Sequence, residues 1–516
     1  MIRKRIGCVP NLETLKQIHA LIIINGSNNV VLLRKLVLTT STSLVGPNST
    51  PTVTSYAHQM FAQIPQPDTF MFNTMIRGSS QSPNPIRAIS LYTQMHQYLV
   101  KPDNYTFPFV LKACTKLFWV NTGSAVHGRV LRFGFCSNTV VRNALLVFHA
   151  KCGDLNVATS LFDDSCRGDV VAWSSLISGY AKRGDLKFAR ELFDEMPDRD
   201  LVAWNVMITG YAKQGEMENA RLLFDEAPVK DVVSWNAMIA GYVVCQLNKQ
   251  ALELFDEMSK AGVYPDEVTL LSLLSACADL GDLEIGQKVH AKVMEISMGK
   301  LSTLLGNALV DMYAKCGKIQ EALHVFWSIK DKDVISWNSI VVGLAFHGDG
   351  KESLSLFKVM LRTKICPNDS TFVGVLAACS HAGKIDEGYK YFDIMRSEYK
   401  IEPNIRHCGC MVDMLGRAGL LKEAVKFIDS MKIEPNAIIW RTLLSACKVH
   451  GDVELAKEVN EKLLRMRKDE SGDYVLMSNL YASRGEWDGV QKVRKLMDDS
   501  GVTKSRGFSL VEACNR

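Results

Sequence analysis

This 516-residue chain has no long apolar run and little net charge. The aliphatic stretch near its N-terminus, Ala20 to Ile24, is far too short to span a bilayer, so we expect no transmembrane segment. The net charge of +5 is small for this length, which argues against a protein that binds nucleic acid by electrostatics alone. Any affinity for a nucleic acid must therefore come from side chains at defined positions.

Motifs for metal or nucleotide chemistry are also missing. None of the 11 histidines is followed by glutamate two residues later, and no two cysteines stand three positions apart, although a zinc deaminase needs both elements. The nearest cluster, His407-Cys408-Gly409-Cys410, falls in predicted helical sequence, where we expect packed thiols rather than zinc. Phosphate-binding glycine loops and nucleophile elbows are absent. We expect a protein that is not an enzyme and uses no cofactor or metal.

The 14 cysteines do not have the spacing of a disulfide framework. Several of them, including Cys152, Cys277, Cys316 and Cys379, recur inside helical sequence. We therefore interpret them as reduced, buried, structural thiols.

One short pattern is written three times at intervals of 31 residues: Val170-Val-Ala-Trp-Ser174, Leu201-Val-Ala-Trp-Asn205 and Val232-Val-Ser-Trp-Asn236. Each copy continues into two apolar segments of helical period. Such a period, with two helix-length segments per unit, is typical of stacked helical hairpins. Tetratricopeptide repeats keep a fixed period of 34 residues, so the variable spacing here argues against them.

The repeat frame extends over most of the chain, with unit lengths from 31 to 36 residues. The units open at Thr69, Asn104, Thr139, Val170, Leu201, Val232, Glu267, Thr303, Val334, Asp369, Ile405, Ala437 and Ser471. Position 15 is glycine in ten units, which predicts a left-handed residue after the first helix. Pro83, Phe118 and Gln246 replace it in three units, where we expect looser turns. Boundary residues such as Asp200, Asp231 and Asn368 are predicted to cap the next helix.

Units with Trp-Asn near the start, a central glycine and a terminal Asp or Asn resemble the pentatricopeptide repeat proteins of plant organelles. The triplet from Val232 (35, 36 and 31 residues) and the triplet from Val334 (35, 36 and 32) resemble the PLS subclass, in which repeat lengths alternate. The resemblance implies an all-α fold, a right-handed α-solenoid superhelix of two-helix repeats. Residues 437–505 resemble the two E motifs of organellar RNA-editing factors.

We divide the chain on this basis into five segments. Residues 1–29 are a short N-terminal segment with a capping helix, and 30–68 are a degenerate repeat. The array of P, L and S type repeats covers 69–436, and the E-like motifs cover 437–505. Residues 506–516 look like the opening of a further extension found in longer relatives. Arg3, Lys4 and Arg5 are weakly compatible with a transit peptide, and we expect a mitochondrial protein, with the chloroplast as the alternative.

In the family, the fifth and last residues of a repeat read one RNA base, and the second residue packs against it. Carried onto this chain, the base-reading pairs are Asn73 with Asp103, Asn143 with Asp169, Ser174 with Asp200, Asn205 with Asp231, Asn236 with Asp266, Asn307 with Asp333, and Asn338 with Asn368. The base-flanking residues are Phe70, Val140, Val171, Val202, Val233, Leu304 and Ile335. In the Asn104 and Glu267 units the fifth residues, Pro108 and Leu271, do not match.

Position 13 supplies cations for the phosphates: Lys151, Lys182, Lys213, Lys315 and Arg417. Each assignment has a structural alternative, because boundary acids cap helices and exposed lysines are often only solvated. We expect the tryptophans at position 4 to lie in the inter-helix core rather than to stack on bases.

Three functions fit the sequence. The first is an adaptor for cytidine-to-uridine editing that binds single-stranded organellar RNA and recruits a deaminase-bearing protein in trans through the E-like motifs. The second is a factor of the same family that acts in RNA stability, splicing or translation. The third is a helical scaffold whose groove binds a protein helix.

Overall fold

A computed structural model describes residues 12–24, 30–43, 51–162, 167–466, 471–483 and 485–499. Within these ranges the regular secondary structure is helical. The basic leader at Arg3 to Arg5 and the segment after residue 499, including the tail 506–516, lie outside the described residues. The chain divides into two units, Met1–Gln246 and Leu247–Arg516. Among the described helices, none combines the length and the apolarity that a membrane crossing requires.

The first unit begins with three helices in the predicted capping and degenerate segments, followed by helix pairs. Its helices are Leu12–Ile24, Val30–Ser43, Pro51–Ala62, Thr69–Gln81, Ile86–Gln97, Thr106–Leu117, Val120–Phe133, Thr139–Cys152, Leu155–Leu161, Val170–Lys182, Leu186–Glu195, Leu201–Gln214, Met217–Glu226 and Val232–Val244, with a 3₁₀ turn at Phe135–Ser137.

The second unit continues the pattern. Its helices are Asn248–Lys260, Glu267–Leu280, Leu283–Ile296, Thr303–Lys315, Ile319–Ser328, Val334–His347, Gly350–Met360, Asp369–His381, Ile385–Ser397, Ile405–Arg417, Leu421–Asp429, Ala437–His450, Val453–Arg465, Ser471–Ser483 and Trp487–Asp499.

Almost every predicted repeat start coincides with the first residue of a helix. The exception is Asn104, since that helix begins at Thr106. There the carboxylate of Asp103 accepts hydrogen bonds from the backbone N–H groups of both Tyr105 and Thr106, which holds Asn104 and Tyr105 in a turn. Within each unit, the first helix of a repeat packs against its own second helix and against the first helix of the next repeat. The fold is therefore an α-solenoid in each unit.

The tryptophans at position 4 are core residues, as predicted. Trp173, Trp204, Trp235 and Trp337 are all buried. Three of them meet a phenylalanine of the preceding second helix edge to face, with ring centroids 4.9 Å apart for Phe193 and Trp204, and similar distances in the equivalent pairs. Aromatic pairs of this geometry add to the stabilisation from buried area. These contacts fix how one repeat packs on the next. The tryptophans are therefore buried between helices and are not available to stack on bases.

The turn between the two helices of a repeat is left-handed at nine of the ten predicted glycines, but Gly153 has φ −100°. The prediction of looser turns is wrong at Phe118 and Gln246, which adopt the left-handed conformation with φ 54° and 60°. At Phe118 the next N–H still donates to the carbonyl oxygen of Cys114, at 3.0 Å. The helix end imposes the left-handed conformation on these side chains, because an N–H beyond the turn must reach the last carbonyls.

The described cysteines are free thiols. Burial raises the pKa of Cys277, Cys379 and Cys447 to about 12, so they stay protonated at neutral pH. In the His407 cluster, the buried imidazole donates through Nε2 to the carbonyl oxygen of Asp369 at 2.9 Å. Its Nδ1 accepts from the N–H of Asn404 at 3.1 Å. These contacts give His407 a helix-capping role.

Candidate nucleic-acid interface

Six of the seven predicted base-reading pairs are in hydrogen-bond contact. The fifth residue lies about one turn into the first helix of its repeat, and the last residue caps the first helix of the following repeat. Because these two helices pack side by side, the two side chains meet. The donor–acceptor distances are 2.8 Å for Asn73 with Asp103, 2.9 Å for Ser174 with Asp200, 3.1 Å for Asn205 with Asp231, 3.1 Å for Asn307 with Asp333 and 3.0 Å for Asn338 with Asn368.

Two pairs are left: one is the sixth hydrogen-bonded pair, and the other spans the two units. The amide of Asn143 donates to the carboxylate of Asp169. Asn236 belongs to the first unit and Asp266 to the second, so their pairing stays a prediction.

The boundary acids divide their two oxygens between different tasks. In Asp231, Oδ1 accepts from the Asn205 amide and from the backbone N–H of Ser234, and the Ser234 hydroxyl oxygen lies 2.9 Å away. The same pattern is present at Asp103, Asp200 and Asp333, each with its own partners. Among the described residues, no donor bonds to Oδ2 of these four carboxylates. One oxygen thus caps the helix and the other can still accept a hydrogen bond.

Asp169 and Asn368 are instructive exceptions. In Asp169 both oxygens are used, since Oδ1 accepts from the N–H of Val171 and Oδ2 from Asn143. In Asn368, Oδ1 accepts from Asn338 and from Thr371, so the group left over is the amide nitrogen. An amide nitrogen only donates, whereas a carboxylate oxygen only accepts. The Val334 repeat therefore offers the opposite hydrogen-bond character from its neighbours with acids.

The carboxylates of Asp231 and Asp333 are held ionised. Partial burial opposes ionisation, but hydrogen bonds from the backbone of Ser234 and the amide of Asn205 outweigh it and lower the pKa of Asp231. The equivalent bonds from Ser336 and Asn307 lower the pKa of Asp333. Both groups are acceptors at neutral pH.

At three of the predicted reading pairs, the structure adds a third residue that was not predicted from the sequence. The hydroxyl of Ser234, three residues after the boundary acid, donates to Oδ1 of Asn205 at 2.6 Å. Thr106 and Thr371 do the same for Asn73 and Asn338, at 2.7 and 2.6 Å. This bond fixes the amide so that its nitrogen faces the boundary residue. A Ser or Thr three residues after a boundary Asp or Asn is the sequence signal for it, and it is also the signature of a capping box.

A basic residue just before the boundary acid anchors the junction between repeats. Lys332 donates to the carbonyl oxygen of Ile329 at 2.6 Å and lies 5.1 Å from the ring of Phe326. Lys230 makes the equivalent contacts with Ala227 and Phe224, at 2.9 and 5.3 Å. A cation at the end of a helix is favoured by the helix dipole. The chain just before the reading acid is thereby tied to the preceding helix.

All seven predicted flanking residues are exposed, from 51% for Val233 to 68% for Phe70. Two of them line a groove of about 580 Å³ in the first unit, together with Asn205, Asp231, Lys182 and Lys213. Apolar, polar and cationic groups predicted for three separate contacts thus share one surface. Tyr105 and Val268, at position 2 of the units without a reading pair, are exposed as well.

The predicted phosphate contacts fall into two groups. Lys151, Lys182 and Lys213 are exposed and form no ion pair within the described part of the chain. Lys315, in contrast, lies 3.0 Å from Asp311 and 3.4 Å from Asp279. Arg417 lies 2.8 Å from Asp413. The first three cations are therefore free to compensate an added anion, whereas the other two already have carboxylate partners.

Stacked helix pairs, with polar pairs at their junctions and apolar residues beside them, define an α-solenoid repeat protein. The chain belongs to the pentatricopeptide repeat family. The model described as "PPR repeat" matches residues 171–201, 202–232, 307–334, 335–365, 370–399 and 406–434. The model "PPR repeat family" matches 67–116 and 230–279, and the model "E motif" matches 450–512. The repeats are of the PLS type and are followed by an E motif.

Two curated relatives from the same plant match over most of their length. "Pentatricopeptide repeat-containing protein At5g15300" of Arabidopsis thaliana is 59% identical over 507 residues, with 97% of this chain and 91% of the relative covered. "Pentatricopeptide repeat-containing protein At3g29230" of the same plant is 43% identical, with 97% and 88% covered. Among solved structures, the pentatricopeptide repeat protein PPR10 in complex with an 18-nt psaJ RNA element is 16% identical and has a TM-score of 0.50, with 95% of this chain and 85% of that chain covered. That likeness supports the fold.

Proposed function

We propose that this protein binds single-stranded RNA with one base at each reading pair and specifies sites of cytidine-to-uridine editing in a plant organelle. The observation that carries the proposal is that the two oxygens of a boundary carboxylate have different hydrogen-bonding roles. Each of Asp103, Asp200, Asp231 and Asp333 keeps Oδ1 in the helix cap and leaves Oδ2 without a donor among the described residues, while the flanking residues at position 2 are exposed. A solved family member is described in complex with an RNA element, which is in accord with this proposal.

The chemistry of the boundary residue suggests the base. An ionised Asp accepts the imino N–H of uracil or guanine, and an Asn amide donates to the ring nitrogen of cytosine. Asn with Asp follows the family pattern for uracil, Ser174 with Asp200 that for guanine, and Asn338 with Asn368 that for cytosine. From the Thr69 repeat to the Val334 repeat, read 5′ to 3′, the preferred sequence is U, any base, U, G, U, U, any base, U, C. The apolar flank contributes about 1 kcal/mol per base.

A one-atom exchange tests this reading. In Asn368→Asp, Oδ1 can still cap the helix of the Asp369 repeat, but the free group becomes an acceptor. We expect the preference at the last of these nine bases to change from C to U by about tenfold, as one hydrogen bond of about 1.4 kcal/mol implies. The measurement is the Kd for two oligoribonucleotides that differ at that base. Asn404→Asp is the matched control, since it also caps a helix but pairs with no polar fifth residue. A uniform loss for both RNAs would contradict the proposal.

The editing role rests on the E motif that follows the repeats. The array would place a target cytidine 3′ of the bound stretch, and the E-like segment would recruit a deaminase-bearing protein in trans. Sequencing of mitochondrial and chloroplast transcripts from plants without this protein tests the role. We expect loss of editing at a few mitochondrial cytidines. Lost editing in chloroplasts alone would overturn the location, and altered splicing or abundance with intact editing would favour the second function.

A further inference from the structure

A groove of about 820 Å³ in the second unit lies beside the Ala437 helix, beyond the last repeat of the array. Its walls come from the first helices of the Asp369, Ile405 and Ala437 segments. Ile438 and Arg441 line it from the Ala437 helix, Arg417 from the Ile405 helix and His381 from the Asp369 helix. No reading pair was assigned to this groove from the sequence.

The Ala437 groove repeats the frame of the groove beside Leu201. In both grooves the lining includes positions 2, 5, 6, 9 and 10 of one segment and position 13 of the segment before it. The corresponding residues are Val202 and Ile438, Asn205 and Arg441, Val206 and Thr442, Thr209 and Ser445, Gly210 and Ala446, and Lys182 and Arg417. Ile438 is 65% exposed, comparable with the flanking residues of the array. The predicted RNA surface thus continues into the first E-like segment.

The charge of this groove differs from that of the array. A carboxylate, Asp413, lines it, but its Oδ2 accepts from Arg417 at 2.8 Å and from the Ser380 hydroxyl at 2.6 Å. Its charge is therefore compensated locally. Position 5 is an arginine in place of asparagine, and a guanidinium only donates hydrogen bonds. The groove suits a ligand with an apolar face and anionic or acceptor-rich edges, which is the chemistry of a nucleotide.

We propose that the Ala437 groove binds the nucleotide that follows the stretch held by the array, on its 3′ side. Ile438 packs against the base and Arg441 donates to the phosphate or to acceptors on the base edge. This inference rests on the proposed RNA-binding function and extends it into a segment otherwise assigned to protein recruitment. It makes the E-like segment part of the RNA footprint.

The test uses the full chain with one short RNA and four long RNAs at one fixed salt concentration. The short RNA, 5′-UAUGUUAUCAA-3′, has one nucleotide for each repeat from Thr69 to Ile405, and the long RNAs carry one added 3′ nucleotide, G, A, U or C. We expect the added nucleotide to strengthen binding by about fivefold, as contact with one base implies. Ile438→Ser and Arg441→Gln are expected to remove this gain and leave the Kd of the short RNA unchanged. A gain with all four nucleotides indicates packing on Ile438 together with a phosphate contact, and a gain with G alone indicates that Arg441 donates to the base edge.

Lys422→Gln is the matched control, because it removes one exposed positive charge from the neighbouring second helix, outside the groove. It should preserve the gain, and thermal melts of all three variants should match that of the parent protein. The inference is overturned if the added nucleotide gives no gain, or if the gain survives in Ile438→Ser and Arg441→Gln. The inference is also overturned if the two variants lose binding to a partner protein but keep the increase in RNA affinity that the added nucleotide gives. Failure of the parent protein to bind even the short RNA would instead reject the proposed function.

Discussion

At Asp231 and Asp333 a single side chain serves two purposes, because its oxygens face different surroundings. Oδ1 lies within the cap of the next helix, where a side-chain amide and a backbone N–H donate to it. These bonds keep the carboxyl ionised, so Oδ2 offers an acceptor of fixed character. Helix capping and base reading therefore do not compete. Capping orients the group that is proposed to read.

The left-handed turns allow a second test at single residues. Gly281 has φ 70°, and a Cβ there would meet no neighbour. Gly281→Ala should therefore destabilise the protein by about 1 kcal/mol through backbone strain alone. Gly409→Ala in the same unit is the control, since that glycine is helical and also faces open space. It should stabilise the protein by about 0.5–1 kcal/mol. Urea unfolding followed by circular dichroism measures both, and shifts in the same direction would contradict the argument.

At the scale of the helix, the boundary acid acts through a capping box. Asp333 and Ser336 satisfy each other's backbone N–H groups, and equivalent boxes open the helices that begin at Val232, Glu267, Asp369 and Ile405. A box of this kind orders the first turn of a helix. In this fold that first turn carries both the predicted reading acid and the predicted flanking residue at position 2. Helix initiation therefore sets the geometry of the site.

Ser336→Ala separates stability from reading. It removes the hydroxyl from the box but leaves the Asp333 carboxylate and its contact with Asn307 in place. We expect a loss of about 0.5–1 kcal/mol of stability with the U preference at the Thr303 repeat unchanged. Asp333→Ala should lose both stability and base preference. Melting temperatures and Kd values for RNAs with U or C at that position provide the readout. A changed base preference in Ser336→Ala would show that the hydroxyl itself takes part in reading.

At the scale of the whole molecule, the proposed RNA binding would have to combine many weak contacts with a small net charge. The free cations at Lys151, Lys182 and Lys213 supply local positive charge that the total of +5 conceals. On a single strand, each phosphate contact contributes about 0.7 to the slope of log K against log salt concentration. The triple variant with Gln at these three positions should therefore lower that slope by about 2.

Lys315→Gln is the control for the salt experiment. Asp311 and Asp279 already compensate Lys315, so its replacement should change the slope by much less than 0.7. Titrations of RNA at several salt concentrations decide the point. An equal change per cation, for the free lysines and for Lys315, would show that the ion pairs do not limit contact with phosphate.

Much of the fold was predictable because the sequence repeats itself. The recurring Trp, the central glycine and the boundary acid predicted helix starts such as Leu201 and Val334, the buried tryptophans and the left-handed turns. The contacts between paired side chains were predictable, since the frame identifies position 5 and the last position of each repeat, and their role in base reading stays a prediction. The left-handed turns at Phe118 and Gln246 were not predicted, because residues other than glycine disfavour a positive φ. Hydrogen bonds at the helix end override that preference at both positions.

The sequence by itself determined the repeat architecture, the family and the identity of the paired residues, because each of these follows from local periodicity. Only the tertiary structure decided which oxygen of Asp231 receives the hydrogen bonds of the helix cap, that Ser234 orients Asn205, and that Asp279 pairs with Lys315. The contacts of Ser234 with Asn205 and of Lys315 with Asp279 join side chains 29 and 36 residues apart, which meet only when neighbouring helices pack. Spacing along the chain names the partners, but the packed helices set the direction of each hydrogen bond.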